Sequence, residues 1–152
     1  MPPQVSLGFY NSKYCPFLNC LTRNELMVKI EVYFNNVEKE KVMLLKSAKL
    51  FIYPSKLDAF PIVVLEALAC GLPVIAYDIP AIRCNYPSNI IARVPRGNIE
   101  EFARVVTEFL LDENKLSTIS SLTVSFATKF TWDNVAWAEV QTMKQLLSTI
   151  SS

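Results

Sequence analysis

The sequence contains no histidine among its 152 residues. That absence excludes Ser-His-Asp and Cys-His nucleophile schemes, histidine proton shuttles and zinc sites with a histidine ligand. An excess of one charge is also lacking, because 15 Lys and Arg residues stand against 14 Asp and Glu residues, for a formal net charge of +1. A chain this close to neutral has no field that would attract nucleic acid or an anionic membrane by charge alone, and we expect no nucleic-acid partner.

Cysteines are few, and none falls in a familiar metal or redox motif. The four cysteines are Cys15, Cys20, Cys70 and Cys84, with no CxxC pair among them, which argues against a zinc ribbon or a thioredoxin-type site. The start of the chain also lacks the charged region, apolar core and cleavage site of a secretory signal. We therefore expect reduced cysteines in a cytoplasmic protein, with a disulfide between Cys15 and Cys20 as the alternative.

Charged residues are scarce overall. They make up 19% of the chain, while hydrophobic residues make up 51%, and the charged share lies below the ~25% of typical soluble domains. This composition predicts a core-rich globular chain rather than a disordered one. The length suits one domain of ordinary size and is too short for two.

One long apolar stretch, residues 59–77, is long enough to cross a bilayer. Glu66 stands near its centre, and a central carboxylate costs at least ~2.5 kcal/mol on insertion scales. Gly71 and Pro73 follow. A helix, a glycine stop and a buried strand explain the same residues without that cost. We prefer this interpretation and expect membrane contact to be at most peripheral, at the inner face, with a membrane-associated stretch as the alternative.

Short apolar runs alternate with helical patterns along the chain. Residues 1–29 form a weakly patterned lead segment with a possible helix near 17–28, and residues 30–152 read as one domain. The patterns predict strands at 30–34, 49–53, 73–77 and 89–94, helices at 36–48, 61–70 and 113–128, a helix capped by Asn98, and a loop at 78–88. Such alternation predicts an α/β fold with a parallel sheet.

The last helices carry clear apolar faces. Five apolar residues after Asn98 fall on one helical face: Phe102, Val105, Val106, Phe109 and Leu110. A final helix is predicted to start at a Thr131 cap, with a stripe formed by Ala136, Val140, Met143 and Leu147. We expect these helices to pack across the sheet as a closing layer, with Trp132 and Trp137 in the core or at an interface.

The segment from Tyr53 to Gly71 leaves a strand, forms a loop and enters a helix, and ligands of open α/β sheets bind at that edge. Unpaired amides near Ile62 and Val63, together with the helix dipole, predict an anion site suited to a diphosphate. Asp58 and Glu66 flank this site, and carboxylates accept hydrogen bonds from the diols of a ribose or hexose. This combination of amides for a diphosphate and carboxylates for two diols matches a nucleoside-diphosphate sugar.

Asp58 and Glu66 could also have simpler roles. Asp58 could only favour the helix dipole, and Glu66 could lie on a solvated helix face. Glu66, however, stands in the run Val64–Leu68, where a carboxylate is rarely buried without a partner, which favours a ligand role.

Other polar residues near the segment are weaker candidates. Lys56 could reach a phosphate or be a solvated loop lysine. Arg83, Arg93 and Arg96 could form a basic rim or be surface residues. Ser55 looks like a turn residue and has no base to activate it.

The segment resembles the carboxyl-terminal, donor-binding domain of the GT-B family 4 glycosyltransferases, the glycosyl transferases group 1. Their signature is a strand ending in Pro-Ser, an acidic pair spaced E-x7-E, Ala after the second acid, then Gly-x-Pro-Val. The matching residues are Pro54-Ser55, Asp58, Phe60, Glu66-Ala67, Gly71 and Pro73-Val74. Further matches downstream are Asp78-Ile79-Pro80, Val94-Pro95, Asn98-Ile99 and Phe130–Asp133. The resemblance covers about residues 30–147.

This resemblance implies a Rossmann-like parallel sheet flanked by helices and incomplete at the amino terminus. It implies that Glu66 holds the donor ribose, that Asp58 contacts the transferred sugar, and that Ser55 belongs to the donor site. Amides at the helix start would approach the diphosphate, around Phe60, Pro61, Ile62 and Val63. The implied donor is a UDP- or GDP-sugar, transferred with retention and without a cofactor or an obligatory metal.

The sequence also departs from the family pattern. Asp58 is one methylene shorter than the usual Glu, and Pro61 replaces a frequent Gly, which removes one amide. The Gly-rich turn and the Arg and Lys pair of the family are not found in residues 1–29, and no acceptor domain is present. We therefore expect weak donor binding and little transfer without an acceptor-domain subunit. The alternative is an inactive, truncated module that acts as a subunit or forms a homo-oligomer through an exposed strand edge.

Overall fold

The structure is a computed structural model, and it describes residues 38–150. Predictions for the strand at 30–34, the possible helix near 17–28, the Asn36 cap and the Cys15–Cys20 pair lie outside the described residues. The elements in chain order are α1 (Glu38–Ser47), β1 (Phe51–Tyr53), α2 (Ile62–Ala69), β2 (Val74–Tyr77), α3 (Pro80–Asn85), β3 (Ile91–Val94), α4 (Ile99–Leu111), α5 (Glu113–Ala127) and α6 (Trp132–Ile150).

The three strands form a parallel sheet in the order β1-β2-β3. Phe51 pairs with Val74, and Val74 pairs with Ile91, so the central strand β2 is bonded on both sides. All four residues of β2 are buried, as in parallel strands that helices cover on both faces. The α/β class with a parallel sheet is thus confirmed.

The long apolar stretch at 59–77 folds as a helix followed by a strand. Helix α2 ends at Ala69, and Gly71 then adopts a φ of +81°, in the left-handed region that glycine favours. Leu72 and Pro73 lead directly into β2. The predicted order of helix, glycine stop and buried strand is what the structure contains. Over the described part of the chain, no helix combines the length and the hydropathy of a membrane span.

The stretch predicted as a loop at 78–88 contains a helix, so that prediction is wrong in part. Helix α3 starts at Pro80, where a proline needs no N–H because the first helical amides have no helical partner. The amides of Ile82 and Arg83 donate to the Ile79 carbonyl at 3.0 and 2.9 Å and close the first turn. Pro80 therefore begins a helix instead of preventing one.

Helices α4 and α5 supply apolar cover for the sheet. Asn98 caps α4 as predicted, because its side-chain oxygen accepts a hydrogen bond from the Glu101 amide at 3.0 Å. The ring of Phe102 meets the edge of Tyr77 at a centroid distance of 5.0 Å, which joins α4 to β2. Helix α5 packs against α2, the helix that follows the loop after β1.

Helix α6 departs from the expected closing layer. Its Thr131 cap is present, since the Asn134 amide donates to the Thr131 hydroxyl at 3.2 Å. No residue of α6 is buried, however, and the side chains of Trp132 and Trp137 are 90% and 67% exposed. The prediction that the final helix packs across the sheet is therefore wrong, and so is a place in the core for these tryptophans, while their place at an interface stays a prediction. An apolar stripe shows which face of a helix avoids water, but not what covers that face.

Candidate functional site

The candidate site lies where β1 ends and the chain turns into α2. Ser55 shapes this turn, since its hydroxyl donates to the Leu57 carbonyl at 2.9 Å. The side chain of Leu57 is 85% exposed and that of Lys56 is exposed as well. The loop therefore presents its side chains outward while its backbone is held by an internal hydrogen bond.

Asp58 is half-buried in this loop and is held from the strand that precedes it. The hydroxyl of Tyr53, the last residue of β1, donates a hydrogen bond to the Asp58 carboxylate. Burial raises the pKa of Tyr53 to about 12, and the hydrogen bond to Asp58 contributes in the same direction. The phenol thus stays a neutral donor at physiological pH and fixes the position of the carboxylate.

The first turn of α2 has no side-chain cap, because its N-cap residue is Pro61. The Ile62 amide donates to the Phe60 carbonyl, and the Val64 amide donates to the Pro61 carbonyl, both at 2.9 Å. The amides of Phe60 and Val63 donate to no other described residue. Of the amides named from the sequence, these two are available to an anion, while that of Ile62 is engaged.

Tyr86 holds the start of α2 in place. It is buried, its hydroxyl donates to the Pro61 carbonyl at 3.0 Å, and its ring stacks on Phe60 at 6.3 Å. A second ring, Phe126 of α5, lies 6.1 Å from it. Burial first, and then the charge of Asp58, raise the pKa of Tyr86 to about 12. The helix start is consequently anchored by an aromatic cluster.

Glu66 lies in the second turn of α2 and pairs with a lysine of α1. The Lys41 ammonium is 2.7 Å from one Glu66 carboxylate oxygen, and the two side chains are 41% and 35% exposed. The apolar run around Glu66 favoured a ligand role, and the structure shows a protein partner, Lys41. A carboxylate offers about four lone-pair sites, so the ion pair leaves acceptor capacity for a diol.

Two of the three arginines that could form a basic rim are held by protein partners. Arg83 binds the carboxylate of Asp78 through two nitrogens at 2.8 and 3.1 Å, and these bonds lower the pKa of Asp78. Arg93 donates to the Tyr86 carbonyl, while its Nε is buried without a partner among the described residues. Arg96 is exposed. In the described part of the chain, no three side chains come together that could hold a metal ion.

Three residues of the site were not singled out from the sequence: Lys41, Tyr53 and Tyr86. Tyr53 could have been found, since it ends a strand at the edge where ligands of α/β sheets bind. Lys41 and Tyr86 each contact a partner 25 positions away in the chain. Such contacts depend on how α1 and the segment after α3 pack, which local patterns do not specify.

Comparison with known proteins identifies relatives over most of this architecture. The family model described as "Glycosyl transferases group 1" matches residues 17–121, more than half of the chain. An exopolysaccharide phosphotransferase of Streptomyces coelicolor is 34% identical over 104 residues, which are 62% of this chain and 11% of that protein. A D-inositol 3-phosphate glycosyltransferase of Streptomyces bingchenggensis is 33% identical over 97 residues, 61% of this chain and 21% of that protein. The chain thus spans less than a quarter of either curated relative.

Solved structures share the fold. The structure of Anabaena HepE in complex with UDP and glucose superposes with a TM-score of 0.69 at 18% identity, over 95% of this chain and 48% of that one. At this level of identity, the likeness establishes the fold alone. It shows that the three-stranded parallel sheet with its helices corresponds to part of a larger glycosyltransferase architecture.

Proposed function

The chain belongs to the glycosyl transferases group 1 family, and we propose that it binds the nucleoside-diphosphate sugar donor of a retaining glycosyltransferase. One observation carries this proposal: two carboxylates, Asp58 and Glu66, flank the uncapped start of α2, and each is held by a protein side chain. That arrangement places diol acceptors on both sides of free backbone amides. A nucleotide sugar carries the complementary groups in the same order, with a ribose diol, a diphosphate and a hexose.

Each residue has a role in this proposal. Glu66 accepts hydrogen bonds from the ribose, with Lys41 keeping its carboxylate in place. Asp58 accepts from the hydroxyls of the transferred sugar, and Tyr53 orients it. The amides of Phe60 and Val63 and the dipole of α2 face the diphosphate. The carboxylates bind and orient the donor, and Ser55 shapes the loop that carries Asp58.

Ile62 takes part in this proposal only after a small rearrangement. Its amide donates to the Phe60 carbonyl at 2.9 Å, so a diphosphate would have to displace that bond. Pro61 supplies no amide, but its carbonyl ties the helix start to Tyr86. The anion site therefore depends on two free amides and one exchangeable amide.

We further propose that the donor is a UDP- or GDP-sugar and that binding needs neither a cofactor nor an obligatory metal. Helix amides and nearby cations would take over the charge neutralisation that a divalent metal otherwise provides. The UDP and glucose in the solved HepE structure support a UDP-sugar as the first donor to test.

Transfer would need a partner. The chain covers 48% of the HepE chain and smaller shares of its curated relatives, and catalysis between two domains requires a closed cleft around donor and acceptor. We propose that this chain works with an acceptor-domain subunit and has little transfer activity alone. The alternative role, an inactive interaction module or homo-oligomer, shares the fold but needs no donor site.

Calorimetric titration of the full chain with UDP-glucose and GDP-mannose tests the donor site. Glu66→Gln should weaken donor binding by at least about tenfold, because it removes the charge that accepts from the ribose and leaves Lys41 without its partner. Asp58→Asn should weaken binding of the intact sugar nucleotide while leaving the affinity for free UDP or GDP unchanged.

Glu108→Gln is the matched control. Glu108 lies on α4 and is paired with Arg104, so the same substitution there breaks an exposed ion pair away from the loop after β1. Its donor affinity should equal that of the unchanged chain. Equal affinity of the Glu66→Gln variant, or no binding by the unchanged chain at millimolar donor, would refute the site.

A further inference from the structure

The start of α2 is a tight turn centred on Pro61. The φ and ψ angles of this proline are −77° and 83°, close to those of an inverse γ-turn, in which the amide after the central residue donates back across it. The Ile62 amide makes that bond, to the Phe60 carbonyl at 2.9 Å. The first amide of the helix is therefore directed back into the loop and not toward an anion at the helix start.

The peptide unit that joins Pro61 to Ile62 is held at its other end as well. Its carbonyl, that of Pro61, accepts hydrogen bonds from the Val64 amide at 2.9 Å and from the Tyr86 hydroxyl at 3.0 Å. Because this trans peptide is planar, its carbonyl and its N–H point in opposite directions and turn only together. The hydrogen bonds that hold the Pro61 carbonyl consequently also hold the Ile62 amide in its direction.

Tyr86 has little freedom to follow that carbonyl if it turns. The residue is buried, its ring contacts those of Phe60 and Phe126, and its own carbonyl accepts a hydrogen bond from Arg93 of β3. The Leu65 amide, the usual helical partner of the carbonyl that Tyr86 binds, approaches the same hydroxyl. Burial raises the pKa of Tyr86, and donation by the Leu65 amide acts in the opposite direction. The hydroxyl is thus bonded within the first turn of α2.

We propose that Tyr86 is a positioning residue that determines how many amides at the start of α2 bind the diphosphate, an inference that rests on the donor site proposed above. With its hydroxyl bonded, the amides of Phe60 and Val63 are available and the Ile62 amide is not. Turning the Ile62 amide toward a phosphate would move the Pro61 carbonyl away from the hydroxyl and leave a buried phenol without its acceptor, which costs free energy. A looser hold on the diphosphate favours release of the nucleotide after transfer, and product release limits many enzymes.

Tyr86→Phe tests this role, since it removes the hydroxyl and keeps the ring. NMR titrations of the full chain with pyrophosphate, UDP and uridine give three affinities. The variant should bind pyrophosphate and UDP about three- to tenfold more tightly, the range expected for one net hydrogen bond between uncharged groups, because the Ile62 amide is then able to turn. The affinity for uridine, which has no phosphate, should not change. A purely structural role predicts the opposite sign, since a loosened helix start would bind the phosphates more weakly.

Amide hydrogen exchange without any ligand gives a second readout. In the unchanged chain, the Ile62 amide should exchange more slowly than the Val63 amide, and Tyr86→Phe should accelerate exchange at Ile62. Tyr77→Phe is the matched control, because it changes another buried tyrosine, whose ring packs against Phe102 of α4. This control should leave both the exchange at Ile62 and the affinity for pyrophosphate unchanged.

Three results would overturn the assignment. One is a Tyr86→Phe variant that binds pyrophosphate no more tightly than the unchanged chain, and another is a variant that gains as much affinity for uridine as for UDP. The third is an Ile62 amide that exchanges as fast as the Val63 amide in the unchanged chain, which decides the matter even if the variant fails to fold. Failure of the donor site gives a different pattern: UDP-glucose at millimolar concentration would bind neither chain, while pyrophosphate would still bind the variant more tightly.

Discussion

At the level of single residues, Tyr53 and Tyr86 hold the loop after β1 in place. One phenol donates to Asp58 from the end of β1, and the other donates to the Pro61 carbonyl from the segment after α3. Both hydrogen bonds require the neutral phenol, and burial keeps both phenols neutral by raising each pKa to about 12. The loop is thus fixed at two points by groups that do not ionise near neutral pH.

Alkaline unfolding tests this pair of phenols. Each titrates at about 12 in the folded chain against 10.0 for an unperturbed tyrosine, so their contribution to the free energy of unfolding is complete below pH 10 and is lost as the pH rises from 10 to 12. Urea midpoints measured across that window should fall, and they should fall less steeply for Tyr86→Phe than for the unchanged chain. An identical slope for both proteins would show that Tyr86 titrates normally.

At the level of elements, local sequence patterns predicted most of the fold and the passage from a strand through a loop into α2. β2, the glycine stop and the Asn98 cap depend on residues adjacent in sequence, and all three are confirmed. The helix at Pro80 was missed although proline at a first helical position is a start signal. The Lys41–Glu66 pair was not predictable, because it joins two helices whose packing no local pattern describes.

The turn after α2 allows a matched comparison of two glycines. Gly71 and Gly97 have φ values of +81° and +85°, so an alanine at either costs about 1–2 kcal/mol for the backbone alone. A Cβ at Gly71 would also lie 3.3 Å from the Ser120 hydroxyl oxygen and 3.5 Å from a Val124 methyl carbon, whereas a Cβ at Gly97 meets nothing within 4 Å. Gly71→Ala should therefore reduce the free energy of unfolding more than Gly97→Ala does.

Urea denaturation measures the loss in free energy of unfolding for both glycine variants. A substitution at Ser120 tests whether the contact with α5 causes the difference. Ser120→Ala removes the oxygen that the new methyl group approaches most closely, so Gly71→Ala should cost less in a Ser120→Ala background. Equal losses for the two glycine variants would show that the contact with α5 relaxes at no cost.

At the scale of the whole molecule, the described chain divides into a packed domain and a projecting helix. The buried hydrophobic cluster extends from Leu45 to Ala127 and includes the sheet, α2, α4 and α5, but no residue of α6. The loop after β1 lies within the packed part. A change in α6 should therefore leave the loop after β1 and its hydrogen bonds intact.

Removal of residues 132–152 tests that division. No residue of α6 is buried. The shortened chain should therefore keep the free energy of unfolding of the full-length monomer at low protein concentration, and it should keep the same affinity for a sugar nucleotide. Phe102→Ala provides the contrast, since it deletes a fully buried ring and should cost about 3–5 kcal/mol. Urea unfolding of both chains at low concentration is the measurement, and a large loss of stability on removal of α6 would mean that α6 belongs to the packed domain.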